Sequence, residues 1–270
     1  MLSREAMLSF FKSNSKGKQR SVLLVMACLS LGACSSPKQA DFTVDTGNVI
    51  YDPNEDFNRK MMSFNMAVDN AVVNPVIKGY RTVAPAPARS GIRNFLRNLR
   101  TPVNLANQLL QGDLKGSHDT LVRGIVNTTV GLGGIFDVAG HEGIEYESED
   151  FGQTLAVWGV GHGPYMVVPF IGASSLRDYS GYFVDSFADP LRWYLFNIDE
   201  EPIYYAKFGM DYLDIRDSLY DTLTELERSS FDYYAAVRST YYQHRRALVY
   251  DNKPASSTEL PEIPDFEDDQ

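Results

Sequence analysis

A mainly α-helical body is what this sequence predicts, and three observations carry that prediction. Apolar residues recur at three-and-four spacing over long windows, early at Phe57, Met61, Phe64, Val68 and Ala71 and late from Tyr212 to Tyr241. Proline stands in the first turn where such windows open, at Thr101-Pro102 and Glu201-Pro202. Neither an internal repeat nor a regular strand spacing of eight to twelve residues is present.

The elements follow in chain order. A basic stretch (Arg4, Lys12, Lys16, Lys18, Arg20) leads into an apolar segment, Val22 to Leu31, and then to Leu31-Gly32-Ala33-Cys34. A positive start, an apolar run too short to span a bilayer and small residues before a cysteine read as an export signal over residues 1–33. An ordinary secretory signal with an incidental cysteine is the alternative. Leu31 to Cys34 resembles a lipobox, which implies a diacylglyceryl group on the Cys34 thiol and an acylated Cys34 amine. Several acyl chains hold a protein stably where one does not. Ser35, in a place where enteric lipoproteins kept at the inner membrane carry Asp, implies passage to the outer membrane.

Composition narrows the chemistry. Cys28 leaves with the signal and lipid consumes Cys34, so no disulfide, thiolate metal site or cysteine nucleophile is expected. Loss of five basic residues and Glu5 leaves 20 basic and 34 acidic residues, net −14, which argues against nucleic acid as a partner. The roughly 240 remaining residues suit one large domain or two small ones. Residues 34–50 are polar and aperiodic, a tether. Residues 249–270 hold seven acidic residues and three prolines, a disordered acidic tail by composition. The helical body is then 51–248.

Within that body, the Phe57 stripe predicts a helix ending near Asn74-Pro75. Thr101-Pro102 opens a second helix with Val103, Ala106, Leu109 and Leu110 inward and Gly112 as its stop. Arg89, Arg93, Arg97 and Arg100 form a basic stripe that suits either anionic headgroups or a salt-bridged face. Tyr212, Ile215, Leu219, Leu223, Leu226, Ser230, Tyr233, Val237 and Tyr241 predict one long or broken helix. Nine of sixteen tyrosines fall between Tyr204 and Tyr250, where they suit a membrane interface or a large core.

Two stretches lack charge. Ile125 to Phe136 is too short to span, so it is a buried core helix or a re-entrant hairpin, with Gly131, Gly133 and Gly134 favouring a turn at its tip. Its glycine spacing does not match a dinucleotide fingerprint. Between Asp150 and Arg177 the run Trp158-Gly159-Val160-Gly161-His162-Gly163-Pro164-Tyr165 forbids a continuous spanning helix. It suits the lining of a lipid channel or an extended crossing of a helical core. Catalysis is poorly supplied: His118, His141, His162 and His244 are scattered, no Gly-x-Ser-x-Gly elbow occurs, and His141-Glu142 lacks the second histidine of a zinc site. No metal or cofactor is expected.

Several segments share a pattern. Asp52-Pro53-Asn54-Glu55-Asp56-Phe57-Asn58-Arg59, Pro85-Ala86-Pro87-Ala88-Arg89, Leu110-Gln111-Gly112-Asp113, Asn127-Thr128 through Gly133-Gly134-Ile135-Phe136-Asp137, Phe151-Gly152-Gln153-Thr154-Leu155, Gly159 to Tyr165 and Leu176-Arg177-Asp178 together resemble the MlaA (VacJ) family of outer-membrane phospholipid lipoproteins over about residues 50–245. The resemblance implies a ring-like bundle of amphipathic helices in the inner leaflet of the outer membrane, with a central amphipathic channel. It implies phospholipids leaving the outer leaflet for a soluble periplasmic carrier (MlaC-like), and a trimeric porin alongside. It places Val130, Gly131, Leu132, Gly133, Gly134, Ile135 and Phe136 in a channel hairpin with a pliant turn, Asn127 and Thr128 on the lining, and Phe57, Met61 and Phe64 on a bracing helix. Uncharged walls are expected, because an unpaired buried charge traps or repels a headgroup. A passive envelope scaffold without channel activity is the competing reading.

Overall fold

The computed structural model describes residues 50–250, all within one compact unit that begins at Val49. The expected signal, Cys34, the tether up to residue 49 and the acidic tail from residue 251 lie outside the described residues. The fold is mainly α, as the spacing predicts: helices α1 (Glu55–Val68), α2 (Asn74–Val83), α3 (Ala86–Leu99), α4 (Thr101–Gln111), α5 (Leu114–Thr129), α6 (Val138–His141) and α7 (Phe151–Val157), a hairpin of β1 (Tyr165–Val168) and β2 (Gly172–Ser175), then α8 (Leu176–Ala188), α9 (Pro190–Asn197), α10 (Glu201–Ser229) and α11 (Tyr233–Val249).

Local chemistry sets most boundaries. Proline lies in the first turn of α3, α4, α9 and α10, where its missing N–H costs nothing. Asp113, Asp137, Asp150, Ser175, Asp189 and Asp232 cap α5, α6, α7, α8, α9 and α11 by accepting a backbone N–H. Gly112 ends α4 in the left-handed region, as expected. The late helix is broken, at Ser230–Asp232 between α10 and α11.

One boundary differs from expectation. The early helix does not stop at Asn74-Pro75; a π-helical segment, Asp69–Val73, joins α1 to α2 without a break. A proline ring collides with the carbonyl four residues before it in a regular helix, and the wider π turn relieves that collision. Helix phase differs too, in α4; in α1 the spacing predicts a stripe and not which way it faces. Phe57 and Phe64 are exposed, and Asn58, Met62 and Asn65, one residue further on, are buried. In α4, Val103 is inward as expected, but Ala106, Leu109 and Leu110 are outward and Asn104, Asn107 and Gln108 are buried.

Those corrections share one cause: the interior is unusually polar. Seven of the eight largest fully buried side chains carry an amide or a hydroxyl (Tyr165, Gln108, Gln153, Asn58, Asn104, Thr154, Ser175), while more than thirty large apolar side chains are exposed. Buried polar groups are tolerated when hydrogen-bonded. Thr154 donates to Asn107 Oδ1 at 2.8 Å, Gln111 donates to Glu149 at 2.7 Å, and Asn104 Nδ2 donates to the Glu147 carbonyl at 3.1 Å.

Candidate functional site

The 130–136 segment is a closed turn. After α5 ends, Gly133 N–H donates to the Thr128 carbonyl (3.0 Å), Gly134 N–H to Asn127 (2.8 Å) and Phe136 N–H to Gly131 (3.0 Å). Leu132, Gly133 and Gly134 all have positive φ, at 52°, 74° and 97°. For Gly133 and Gly134 this is the conformation that glycine adopts without penalty. Two asparagines of α3, one helical turn apart, clasp the turn from outside. Asn98 Nδ2 donates to Thr128 Oγ1 (2.8 Å) and the Gly133 carbonyl (3.2 Å), and Asn94 donates to the Ile135 carbonyl (3.3 Å). With its backbone satisfied, the turn turns its apolar side chains outward: Val130 is 66% exposed, Leu132 65% and Phe136 58%, with Ile135 also exposed. The turn is therefore held by a hydrogen-bond clasp.

Asn127 sits behind the turn, buried. Its Nδ2 donates to Asp137 (2.9 Å) and its Oδ1 accepts the Ala139 N–H (3.0 Å), so it fastens the turn to α6. Arg123 donates to the same Asp137 oxygen at 2.8 Å and also to the Ile144 carbonyl. Burial raises the Asp137 pKa and these partners outweigh it, holding the carboxyl below its usual range. Thr128 is exposed and bound to Asn98.

Phe57, Met61 and Phe64 belong to a different grouping. Their helix packs on the β-hairpin: Phe64 meets Phe170 edge-on with ring centroids 5.7 Å apart, and Met61 packs on the core cluster of Met62, Tyr165, Val167 and Tyr234. The second uncharged stretch is thus an extended crossing of a helical core at 165–175, one of the two alternatives its composition allowed. Asn58 Nδ2 donates to the Tyr165 carbonyl (3.1 Å) while its Oδ1 accepts from Val167 N–H (3.0 Å). Asn65 does the same for the Val168 carbonyl (3.0 Å) and Phe170 N–H (2.9 Å). Behind the hairpin, Arg245 of α11 binds Asp150 (2.6 and 2.9 Å) and Asp178 (3.0 Å), and Tyr241 donates to Asp178. Burial alone raises the Asp150 pKa, but Arg245 and the Gln153 N–H prevail and hold it at about 2. His162 packs edge-on against Tyr242 at 4.8 Å, and burial and Arg177 push its pKa down to about 4.

The arginine stripe divides, with Arg89 and Arg93 on a salt-bridged face and Arg97 and Arg100 off it. Arg81, Arg89 and Arg93 converge on buried Asp217 of α10, at 2.5, 2.9 and 3.4 Å, and Arg93 reaches Asp214 at 2.9 Å. Arg97 stacks over Tyr146. Arg100 lies apart, in a cleft where α4, α8 and α10 meet, together with Tyr182, Asp185, Tyr204 and Lys207. These residues come from three separate segments, so only their chemistry, not their spacing, was open to sequence reading. The hairpin, by contrast, carried a signal: a β-branched run bounded by Gly163-Pro164 and Pro169.

Comparison with known proteins bears on this arrangement. A family model described as MlaA lipoprotein matches residues 50–248. The intermembrane phospholipid transport system lipoprotein MlaA of Escherichia coli (strain K12) is 36% identical over 222 residues, 81% of this chain and 86% of that protein. Its namesake in Haemophilus influenzae is 34% identical over 212 residues, 77% of this chain and 83% of that protein. A solved chain described under "Structural basis for maintenance of bacterial outer membrane lipid asymmetry" superposes with a TM-score of 0.64 at 35% identity, covering 74% of this chain and all of its own.

Proposed function

The chain belongs to the MlaA lipoprotein family, and from that premise we propose that it maintains outer-membrane lipid asymmetry by removing phospholipids that stray into the outer leaflet. On this reading Cys34 carries the lipid anchor and the helical body sits in the inner leaflet of the outer membrane. Lipid passes along a polar path beside the 130–136 turn to a soluble periplasmic carrier of the MlaC kind, with a trimeric porin as neighbour.

The observation that carries the reading is the inverted placement of side chains. No helix among the described residues is long and apolar enough to cross a membrane. Apolar surface is instead spread over many short helices and the turn, including Phe187, Trp193, Tyr194, Ile203 and Tyr205, while carboxamides and ion pairs fill the interior. An apolar exterior suits contact with acyl chains. A polar interior gives a headgroup a route on which it need not shed all its hydrogen bonds.

The test is the amount of phospholipid in the outer leaflet of a strain lacking the protein, read as sensitivity to added phospholipase. More accessible phospholipid, restored to normal by the wild-type gene, is expected. An unchanged leaflet would overturn the reading in favour of a passive scaffold.

A further inference from the structure

The cleft between α4, α8 and α10 holds two cations, Arg100 and Lys207, two phenols, Tyr182 and Tyr204, and the carboxylates Asp185 and Asp189. Resting on the phospholipid reading above, we infer that this cleft is a station for a zwitterionic headgroup of the phosphoethanolamine class, its phosphate on Arg100 and Lys207 and its ammonium on the carboxylate side.

Three features argue for it. Arg100 makes no side-chain hydrogen bond or ion pair among the described residues, whereas Arg81, Arg89, Arg93, Arg123 and Arg245 are each committed to carboxylates. A guanidinium left open in a cleft, beside phenol O–H groups, is suited to a phosphate, which accepts several charge-assisted hydrogen bonds at once. Asp185 is the complement. It accepts the Phe151 N–H (2.9 Å) and Asn107 Nδ2 (2.9 Å) but has no ion pair among the described residues, and burial raises its pKa. The charge of Arg100 offsets that burial only in part, and a primary ammonium would supply a direct partner.

Charge balance then selects the class. Lys207 is already shared with Asp211 at 2.8 Å, so the cleft's carboxylates outnumber its cations. A headgroup bearing both signs meets both kinds of group, while a purely anionic glycerol phosphate would face the carboxylates unpaired. Exposed Phe183, Phe187 and Phe208 lie on the same helices and would take the acyl chains.

The full lipidated protein is purified in detergent, exchanged against micelles holding equal phosphatidylethanolamine and phosphatidylglycerol, repurified, and its bound lipid is counted by mass spectrometry. Phosphatidylethanolamine should be retained over phosphatidylglycerol, Arg100→Gln should lower retention by about tenfold, and Asp185→Asn should erase the preference. Tyr204→Phe, expected to weaken retention by severalfold, is the second probe should Arg100→Gln fail to fold. Wild-type protein that retains no phospholipid would overturn both the conduit reading and the station. Equal retention by wild type, Arg100→Gln and Tyr204→Phe would overturn the station alone, as would equal retention of the two lipids. Binding of free phosphoethanolamine as strong as that of the lipid would reassign the cleft to a soluble anion and overturn the lipid station.

Discussion

The two charge-free stretches, 125–136 and 151–176, are both clasped by a pair of asparagines from a neighbouring helix, yet one is driven inward and the other outward. For β1 the clasp replaces a strand. Asn58 and Asn65 are seven residues apart, about 10.5 Å along a helix. The backbone positions they serve, 165/167 and 168/170, have centres three residues apart, about 10 Å along a strand. The register matches, so β1 has β2 on one edge and two carboxamides on the other, and Tyr165 and Val167 are free to sink against Tyr234 of α11. In the 130–136 turn the backbone closes on itself, Asn94 and Asn98 take carbonyls left over, and the side chains have nowhere inward to go. Lack of charge therefore says only that a segment meets no ionic partner. Where its backbone hydrogen bonds go decides whether it is core or surface.

If that contrast holds, the hairpin region governs stability and the turn does not. The largest expected effect is at Arg245, which ties α11 to Asp150 and Asp178. Arg245→Met leaves Asp150 without its cation and Asp178 with Arg177 alone, and should cost about 3–5 kcal/mol in urea unfolding monitored by helical circular dichroism. Next is Asn58→Ala, which strands a strand donor and acceptor in the interior and should cost about 2–3 kcal/mol. Losses under about 1 kcal/mol for both would break the comparison, because the hairpin would then be held by packing alone.

Acid sharpens it. Asp150 is ionised in the folded state down to about pH 2, against an ordinary aspartate pKa of 3.8, so its contribution is complete above about pH 4 and is lost as pH falls toward 2. The loss should approach about 2 kcal/mol, and Asp150→Asn should flatten the pH dependence in that window. Asp185 has the opposite sign: its raised pKa makes the ionised form costly when folded, so its contribution improves as pH falls from neutrality. An Asp150→Asn protein with the wild-type acid profile would place the acid-sensitive contact elsewhere.

Much of this was legible in the sequence, and what was not has a common origin. Three-and-four spacing revealed α1, α4, α10 and α11, Pro102 and Pro202 marked the starts of α4 and α10, Gly112 the end of α4, and Gly133 and Gly134 the turn. Helix phase was misread in α4 and open in α1. Periodicity gives the angle of a stripe but not its medium, and a protein with an apolar exterior reverses the usual assignment, so Phe57 and Phe64 face out where Asn58 and Asn65 face in. The π segment before Pro75 has no spacing of its own to betray it. Partners distant in sequence were equally hidden. Arg89 meets Asp217 across 128 residues, which turns the Arg89 and Arg93 half of the stripe into a salt-bridged face.

The smallest expected effect on stability is at Gly133, and it is the one that separates the two regions most cleanly. A Cβ at Gly133 meets open space, and although φ is +74°, aspartate is among the residues that tolerate that region, so Gly133→Asp should cost about 1 kcal/mol or less. Gly134→Asp is the contrasting control, since its Cβ would collide with the Asn98 side chain and undo the clasp. Yet a carboxylate at residue 133 places a charge beside Val130, Leu132 and Ile135, the outward tip that on the proposed function meets lipid. Charge at hydrocarbon depth costs about 2.5–3.5 kcal/mol even on a lenient scale, enough to pull the tip toward water while the fold stands. Melting should stay near wild type and phospholipase-accessible surface phospholipid should rise. Unfolding of Gly133→Asp would mean that the turn contributes to stability as the hairpin does. Normal surface phospholipid in a folded Gly133→Asp protein would remove the turn from the lipid path and leave its exposed apolar side chains in search of another neighbour.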